Sequence, residues 1–161
     1  MNLEEELKKR SGGKKKSSQW YINELTKHLL PYQRKNSDEY DTKGISPGNM
    51  YMFTYIPGAT RPGISYDSNP LVFVIEMKGD KFFGINLHHV NYQIRKMIAK
   101  SLLNKVDITS LPRDCYRLYF TSRCSNFIKI PEKFWVDVSS LPTERFQNVK
   151  GDKNQNWVNK T

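Results

Sequence analysis

His88 and His89 stand side by side at the end of an apolar run, the pairing in this chain that first suggests catalysis. A zinc centre needs three or four ligands in fixed geometry. Adjacent residues at a strand end point apart, and the third histidine, His28, belongs to a different segment, so the pair does not build such a centre. A strand-to-helix boundary with one ring satisfied by the backbone accounts for the two histidines without any chemistry.

Four carboxylates, Asp67, Glu76, Asp80 and Asp114, offer another route, divalent-metal-assisted cleavage of a phosphodiester. Glu76-x-Lys78 has the E-x-K spacing that closes many nuclease strands. Its upstream partner is poorly placed, because Asp67 opens a loop, Asp67-Ser68-Asn69-Pro70, and Lys78 falls at a turn. There is no Walker loop, nucleophile elbow or dinucleotide fingerprint, so no cofactor and no metal is expected.

The basic residues give a broader signal. The chain of 161 residues has 26 Lys+Arg against 16 Asp+Glu, a formal charge of +10. Such an excess favours a polyanionic partner, with docking on an acidic protein surface as the alternative. Lys8, Lys9 and Arg10 close an acidic-then-basic start, Glu4 to Arg10, that can form a short helix with Glu early and Lys late. Lys14, Lys15, Lys16 lie in the Ser- and Gly-rich stretch that follows, and the whole reads as a flexible basic arm over residues 1–18. Through residue 35 there are nine basic and four acidic side chains, enough for this arm to reach phosphates. Arg95, Lys96 and Lys100 fall off the apolar face of a helix, and Arg117, Tyr119 and Arg123 add charge and a stacking ring on a later hairpin. An ordinary solvated face, with long stems covering apolar surface, is the competing explanation. Base-specific readout has no support, so binding would be to the backbone and salt-dependent.

The elements that must carry these residues follow from periodicity. Three strand-like runs, Met50 to Ile56, Pro70 to Met77 and Lys81 to Leu87, lie close together, the last two joined by Lys78-Gly79-Asp80 in hairpin fashion. Two more strands are expected at Tyr116 to Thr121 and Phe127 to Ile130. A helix from about Gln19 to Leu30, capped by Ser18 and followed by Pro31, places Trp20, Ile22, Leu25 and Leu29 on one face. A second helix spans about Asn91 to Leu103, with Val90, Ile94, Met97, Ile98 and Leu102 inward. Glu132 to Val138 reads as a helical turn, and Thr143 as the cap of one more turn through Phe146. The fold expected is α+β: a bent antiparallel sheet or small SH3-like barrel, with two packed helices, forming a single domain over residues 19–161. Its core would use Met50, Phe53, Val72, Val74, Phe83, Ile85, Leu87, Ile94 and Ile98. A disulfide between Cys115 and Cys124 is not expected, since nothing marks the chain as secreted. No signal peptide or membrane-spanning run is present, which points to a soluble protein of a reducing cytoplasm.

The blocks PGNMYMFTY, YDSNPLVFVIE, FFGINLHHV, SRCSNFIKIPEKFW and LPTERF resemble, in order and approximate spacing, a family of small proteins of T4-like tailed bacteriophages. The resemblance extends from Ser18–Trp20 to Trp157, with Tyr66, Asp67, Pro70, Asn86, Leu87 and His88 on the family pattern. His89 stands where the family usually has Tyr, and the loop 63–70 lacks the double Tyr and the Phe before Pro. What it implies is a non-catalytic protein that binds double-stranded DNA, protecting DNA ends during packaging or acting in virion assembly. Its setting would be the host bacterial cytoplasm during infection, or the virion, with other phage virion proteins as partners. A structural component of neck, tail or baseplate is the second expectation, and a metal-dependent nuclease, with a small-barrel ribonuclease as its variant, the third.

Overall fold

The computed structural model describes residues 2–33, 44–57, 67–108 and 110–143. Among these residues four α-helices, α1 (Leu3–Arg10), α2 (Ser18–Gln33), α3 (Arg95–Leu103) and α4 (Trp135–Ser139), accompany five strands. The strands are β1 (Met50–Tyr55), β2 (Leu71–Lys78), β3 (Lys81–Asn86), β4 (Tyr116–Phe120) and β5 (Cys124–Ile130). They form one antiparallel sheet in the order β4-β3-β2-β1-β5, open between β4 and β5, so the class is α+β and the closed-barrel alternative is corrected. β2 and β3 meet through Gly79-Asp80, with Lys78 opposite Lys81. Gly79 takes φ +63°, the left-handed backbone that a two-residue hairpin turn of this kind needs at its first position.

Both faces of the sheet are buried along β1, which is why its sequence, MYMFTY, lacks the alternation of a half-buried strand. One face, through Met50, Met52, Leu71, Ile85, Ile128 and Ile130, packs against helices bearing Leu7, Tyr21, Leu25, Leu29, Ile98 and Trp135. The other face collects Tyr51, Phe53, Val72, Val74, Phe82, Tyr119 and Phe127. Its rings show how strongly the sheet bends. Phe53 on β1 and Tyr119 on β4 are three strands apart, about 14 Å in a flat sheet at ~4.8 Å per strand. Their ring centroids are 5.3 Å apart, edge to face.

The sheet closes tightly at Gly84, where an added Cβ would meet the Val72 side chain and lie 2.7 Å from the Phe73 carbonyl oxygen. β2 bulges at Ile75, since Val74 pairs with Gly84 and Glu76 with Phe83. Phe83, expected in the core, shares the helix-side face with Ile85 but is 38% exposed, outside the buried cluster there. On β4, Tyr119, expected as a stacking ring, is the buried residue, while Leu118 and Phe120 are exposed.

The first eighteen residues are not a flexible arm. Asn2 caps α1, its side-chain oxygen accepting from the Glu5 amide at 2.8 Å, and acidic residues open the helix while basic ones close it, as the helix dipole favours. Leu3 and Leu7 are buried in the helix-side core, and Lys16 pairs with Thr143 in an isolated bridge. The domain therefore includes this segment. Ser17, not Ser18, caps α2, its hydroxyl accepting from the Trp20 amide. α2 continues through Pro31, whose missing N–H removes one bond in the last turn. The region of Phe146 and Trp157 lies outside the described residues, as does Tyr66.

Two substitutions check this packing. Leu7→Ala is expected to lower unfolding stability by about 2–5 kcal/mol, as for a core leucine and unlike a residue on a mobile arm. Gly84→Ala is expected to cost at least ~1–3 kcal/mol by overpacking, because the obstacle includes backbone. Urea denaturation of both variants measures these values, and a Leu7→Ala change within error of zero would return residues 1–18 to an arm.

Candidate functional site

The polar residues that the fold gathers most closely lie where the chain leaves β3. Asn86 ends the strand, and a 3₁₀ turn, Leu87–His89, follows, with the Asn86 side-chain oxygen accepting from the His88 amide at 2.9 Å. Asp67 enters from the segment before β2. Its Oδ2 lies 2.6 Å from His88 Nδ1, and its Oδ1 accepts from the Asn69 amide at 3.1 Å. The Asn86 amide donates to the Tyr119 hydroxyl at 3.1 Å and approaches Asp67 Oδ2 at 3.5 Å. Asn69 donates onward to the Thr54 hydroxyl of β1. Asp67, Asn69, Asn86, His88 and Tyr119 are all buried.

The electrostatics follow from that burial. Desolvation alone would raise the Asp67 carboxyl, but the charge and hydrogen bond of His88 prevail and hold it below the ordinary carboxylate range. Burial pushes the Tyr119 phenol well up, and Asp67 adds to this. Burial pushes His89 down from 6.5 to about 3, and the neighbouring Arg117 charge works in the same direction. Arg95, expected on an exposed helix face, is buried instead. Its Nε donates to the Val90 carbonyl at 2.9 Å and its Nη2 to the His88 carbonyl at 2.8 Å. Desolvation lowers it to about 10, a guanidinium that remains charged at neutral pH. The helix begins only at Arg95, after a 3₁₀ turn at Tyr92–Ile94, and that change of phase turns Arg95 inward and leaves Met97 58% exposed.

Above this network is a small cavity of about 90 Å³ lined by Tyr55, Asp67, Asn86, His89, Arg117 and Tyr119, among others. Arg117 Nε donates to the Asp114 carbonyl at 2.7 Å, and Nη2 lies 3.5 Å from His89 Nδ1. The two histidines thus differ in role. His88 is held in an interior hydrogen bond with Asp67, and His89 lies against Arg117.

The remaining basic candidates fall into two groups. Glu4 takes Lys8 and Lys96, each at 2.9 Å, and Arg10 reaches Glu24 at 3.2 Å and Glu6 at 3.8 Å. Among the described residues, Lys9, Lys14, Lys15, Lys100 and Arg123 are exposed and in no ion pair. Lys16 rests with its ammonium 5.8 Å from the Trp20 ring centroid. Tyr119, expected as a stacking ring, cannot serve, because it is buried in the aromatic face. The nuclease constellation does not converge. Asp67 is engaged by His88, Glu76 is exposed on β2, and no group of three His, Cys, Asp or Glu among the described residues is arranged to hold a metal. Cys115 and Cys124 are both free thiols.

No protein-family model matches the chain, and comparisons with curated proteins and with solved structures return no significant match. No helix among the described residues is long and apolar enough to cross a membrane.

Sequence reasoning named Asp67 and His88 but not their pairing. The signal was Asn86-Leu87-His88 directly after a strand, a side-chain cap that turns the chain and points one histidine inward. Removing one partner of this buried pair, by Asp67→Ala or His88→Ala, is expected to cost about 3–5 kcal/mol in urea denaturation, and the double variant less than the sum.

The pH dependence has a defined sign. His89 in the folded state titrates below its unfolded value, so its stabilising contribution is complete above about pH 6.5 and is lost as pH falls toward about 3. His89→Gln is expected to flatten that slope. Asp67, also depressed, contributes a further loss at lower pH as its own proton binds. Equal slopes in the parent and His89→Gln proteins would show that His89 does not titrate on unfolding.

Proposed function

We propose that this protein is a non-catalytic binder of double-stranded DNA that contacts phosphates rather than bases, acting in the packaging or end protection of a tailed-phage genome. The phage setting rests on the sequence resemblance alone. The observation that supports DNA contact is the pattern of charge neutralisation. Glu4, Glu6 and Glu24 take up Lys8, Lys96, Arg10 and Lys27, yet Lys9, Lys14, Lys15, Lys100 and Arg123 remain exposed and outside ion pairs among the described residues. The acidic residues of α1 and α2 thereby hold the basic segment in place without cancelling the chain's +10 excess. Arg95, Lys8, Arg10 and Lys96 serve structure first. Lys14, Lys15 and Lys100 are the stronger candidates for phosphate.

A second reading, a structural component of neck, tail or baseplate, is favoured by a different observation, the exposed apolar side chains Ile75, Phe83, Leu118 and Phe120 on the sheet.

The measurement that separates them is affinity for linear and for closed-circular duplex DNA of one sequence over a salt series without divalent metal. DNA binding through phosphates is expected to weaken linearly on a log–log plot. Replacing Lys14 and Lys15 by Gln is expected to reduce the slope by roughly 0.9 for each phosphate that is no longer neutralised. A preference for the linear form supports end protection, and equal affinity leaves general DNA binding. No binding to either form near physiological salt overturns the DNA reading.

A further inference from the structure

We infer that β4 is a self-association edge, through which two copies of this chain join their sheets antiparallel. Among the described residues β4 has one neighbour, β3, and its other side ends the sheet. An open strand edge presents a row of backbone donors and acceptors ready to pair. Folded chains commonly blunt such edges with charge. Here the one charged residue of β4, Arg117, is folded back, its Nε on the Asp114 carbonyl and its Nη2 beside His89.

The side chains along this edge make the inference specific. Tyr116, Leu118 and Phe120 share one face, where Leu118 is opposite Phe83 and Phe120 opposite Lys81 of β3. Leu118 is 36% exposed, Phe120 39% and Phe83 38%, so an apolar row runs up to the edge and stops there. Ile75, on the same face by alternation with Leu71 and Phe73, extends the row inward. The strand is its own complement about Leu118. Antiparallel pairing on that centre sets Leu118 against Leu118 of the copy, Tyr116 against Phe120, and Arg117 against Tyr119. No like charges meet within the strand, and the apolar rows of the two copies become continuous. A two-fold interface of this kind needs no partner beyond the chain itself.

The energetics set the expected strength. A ladder of five residues per copy is short, so the association falls among weak interfaces, in the ~micromolar range or above. Each copy carries a charge of +10, and Arg113 and Arg123 flank the strand at its two ends, so the copies repel at low ionic strength. Screening by salt should therefore strengthen the dimer, the opposite of its effect on phosphate binding. The inference does not rest on the DNA reading, and the two respond to salt with opposite signs.

The test is sedimentation equilibrium of the full chain over a range of protein concentrations at low and high salt, without DNA. A species of twice the chain mass that grows with concentration and with salt is expected. Leu118→Glu, which sets two carboxylates against each other on the two-fold axis, should weaken association by at least ~10-fold. Because loss of the fold would give the same result in that variant, a second measurement uses an oxidative cross-link in a Cys124→Ser background. Leu118→Cys should form a symmetric disulfide, the paired Cα atoms lying about 4.5–5.5 Å apart. Ile75→Cys, on the same face but away from the edge, should not. A monomer at every concentration and salt, or cross-linking equal at both positions, overturns the inference. A monomer that instead pairs with an acidic β-strand peptide would assign the edge to another protein and equally overturn it.

Discussion

The carboxylate of Asp67 lies in the interior, and much of the molecule is arranged around keeping it there. A buried carboxylate is tolerated only with its hydrogen-bond positions filled, and His88 Nδ1 and the Asn69 amide fill them. The constraint then spreads. His88 can meet Asp67 only if the chain turns sharply after β3, and Asn86 enforces that turn by accepting from the His88 amide. The His88 and Val90 carbonyls, freed from the sheet, are taken by buried Arg95 at the start of α3. One buried side-chain pair, Asp67 and His88, thus links the approach to β2, the end of β3 and the first residue of the helix that covers the sheet.

The bend of the sheet is the second organising element. Curling brings Phe53, Phe82, Tyr119 and Phe127 from four strands into one ring cluster, and this depends on Gly84 permitting β2 and β3 to approach closely. The opposite face is covered by helices only in part. It ends in the exposed row of Ile75, Phe83, Leu118 and Phe120 near the β2–β3 turn. The chain therefore presents two kinds of surface, a cationic one on the segment joining α1 to α2 and on α3, and an apolar one at the free strand. Charge drives long-range attraction to polyanions, whereas the apolar edge acts only at contact.

Much of this architecture was legible in the residues. All five strands and the α2 and α3 helices lie within a few residues of where apolar periodicity and the Gly and Pro breaks place them. Met50, Phe53, Val72, Val74, Ile85, Leu87 and Ile98 are buried as expected. The departures share one cause. Phe83, Tyr119 and Arg95 were each read from local pattern, and each is decided by what does or does not fold against it. The helix-side core stops short of Phe83, curvature turns Tyr119 in, and the carbonyls after β3 draw Arg95 inward. Leu3 and Leu7 anchor the charged α1 helix by entering the helix-side core, which composition alone does not show.

The sequence by itself determined the element types, the antiparallel character and the excess of positive charge, because these depend on period, turn residues and composition, all of them local or additive. Tertiary structure alone decided which charges are available. Ion pairing among α1, α2 and α3, and the carbonyls that hold Arg95, separate Lys14, Lys15 and Lys100, exposed and outside ion pairs among the described residues, from the structurally engaged Lys8, Arg10, Arg95 and Lys96. It also decided that Asp67 meets His88 rather than Glu76, and that the apolar face of β4 reaches the open edge. Whether a side chain is buried, paired or exposed depends on what folds against it, and that partner lies elsewhere in the chain.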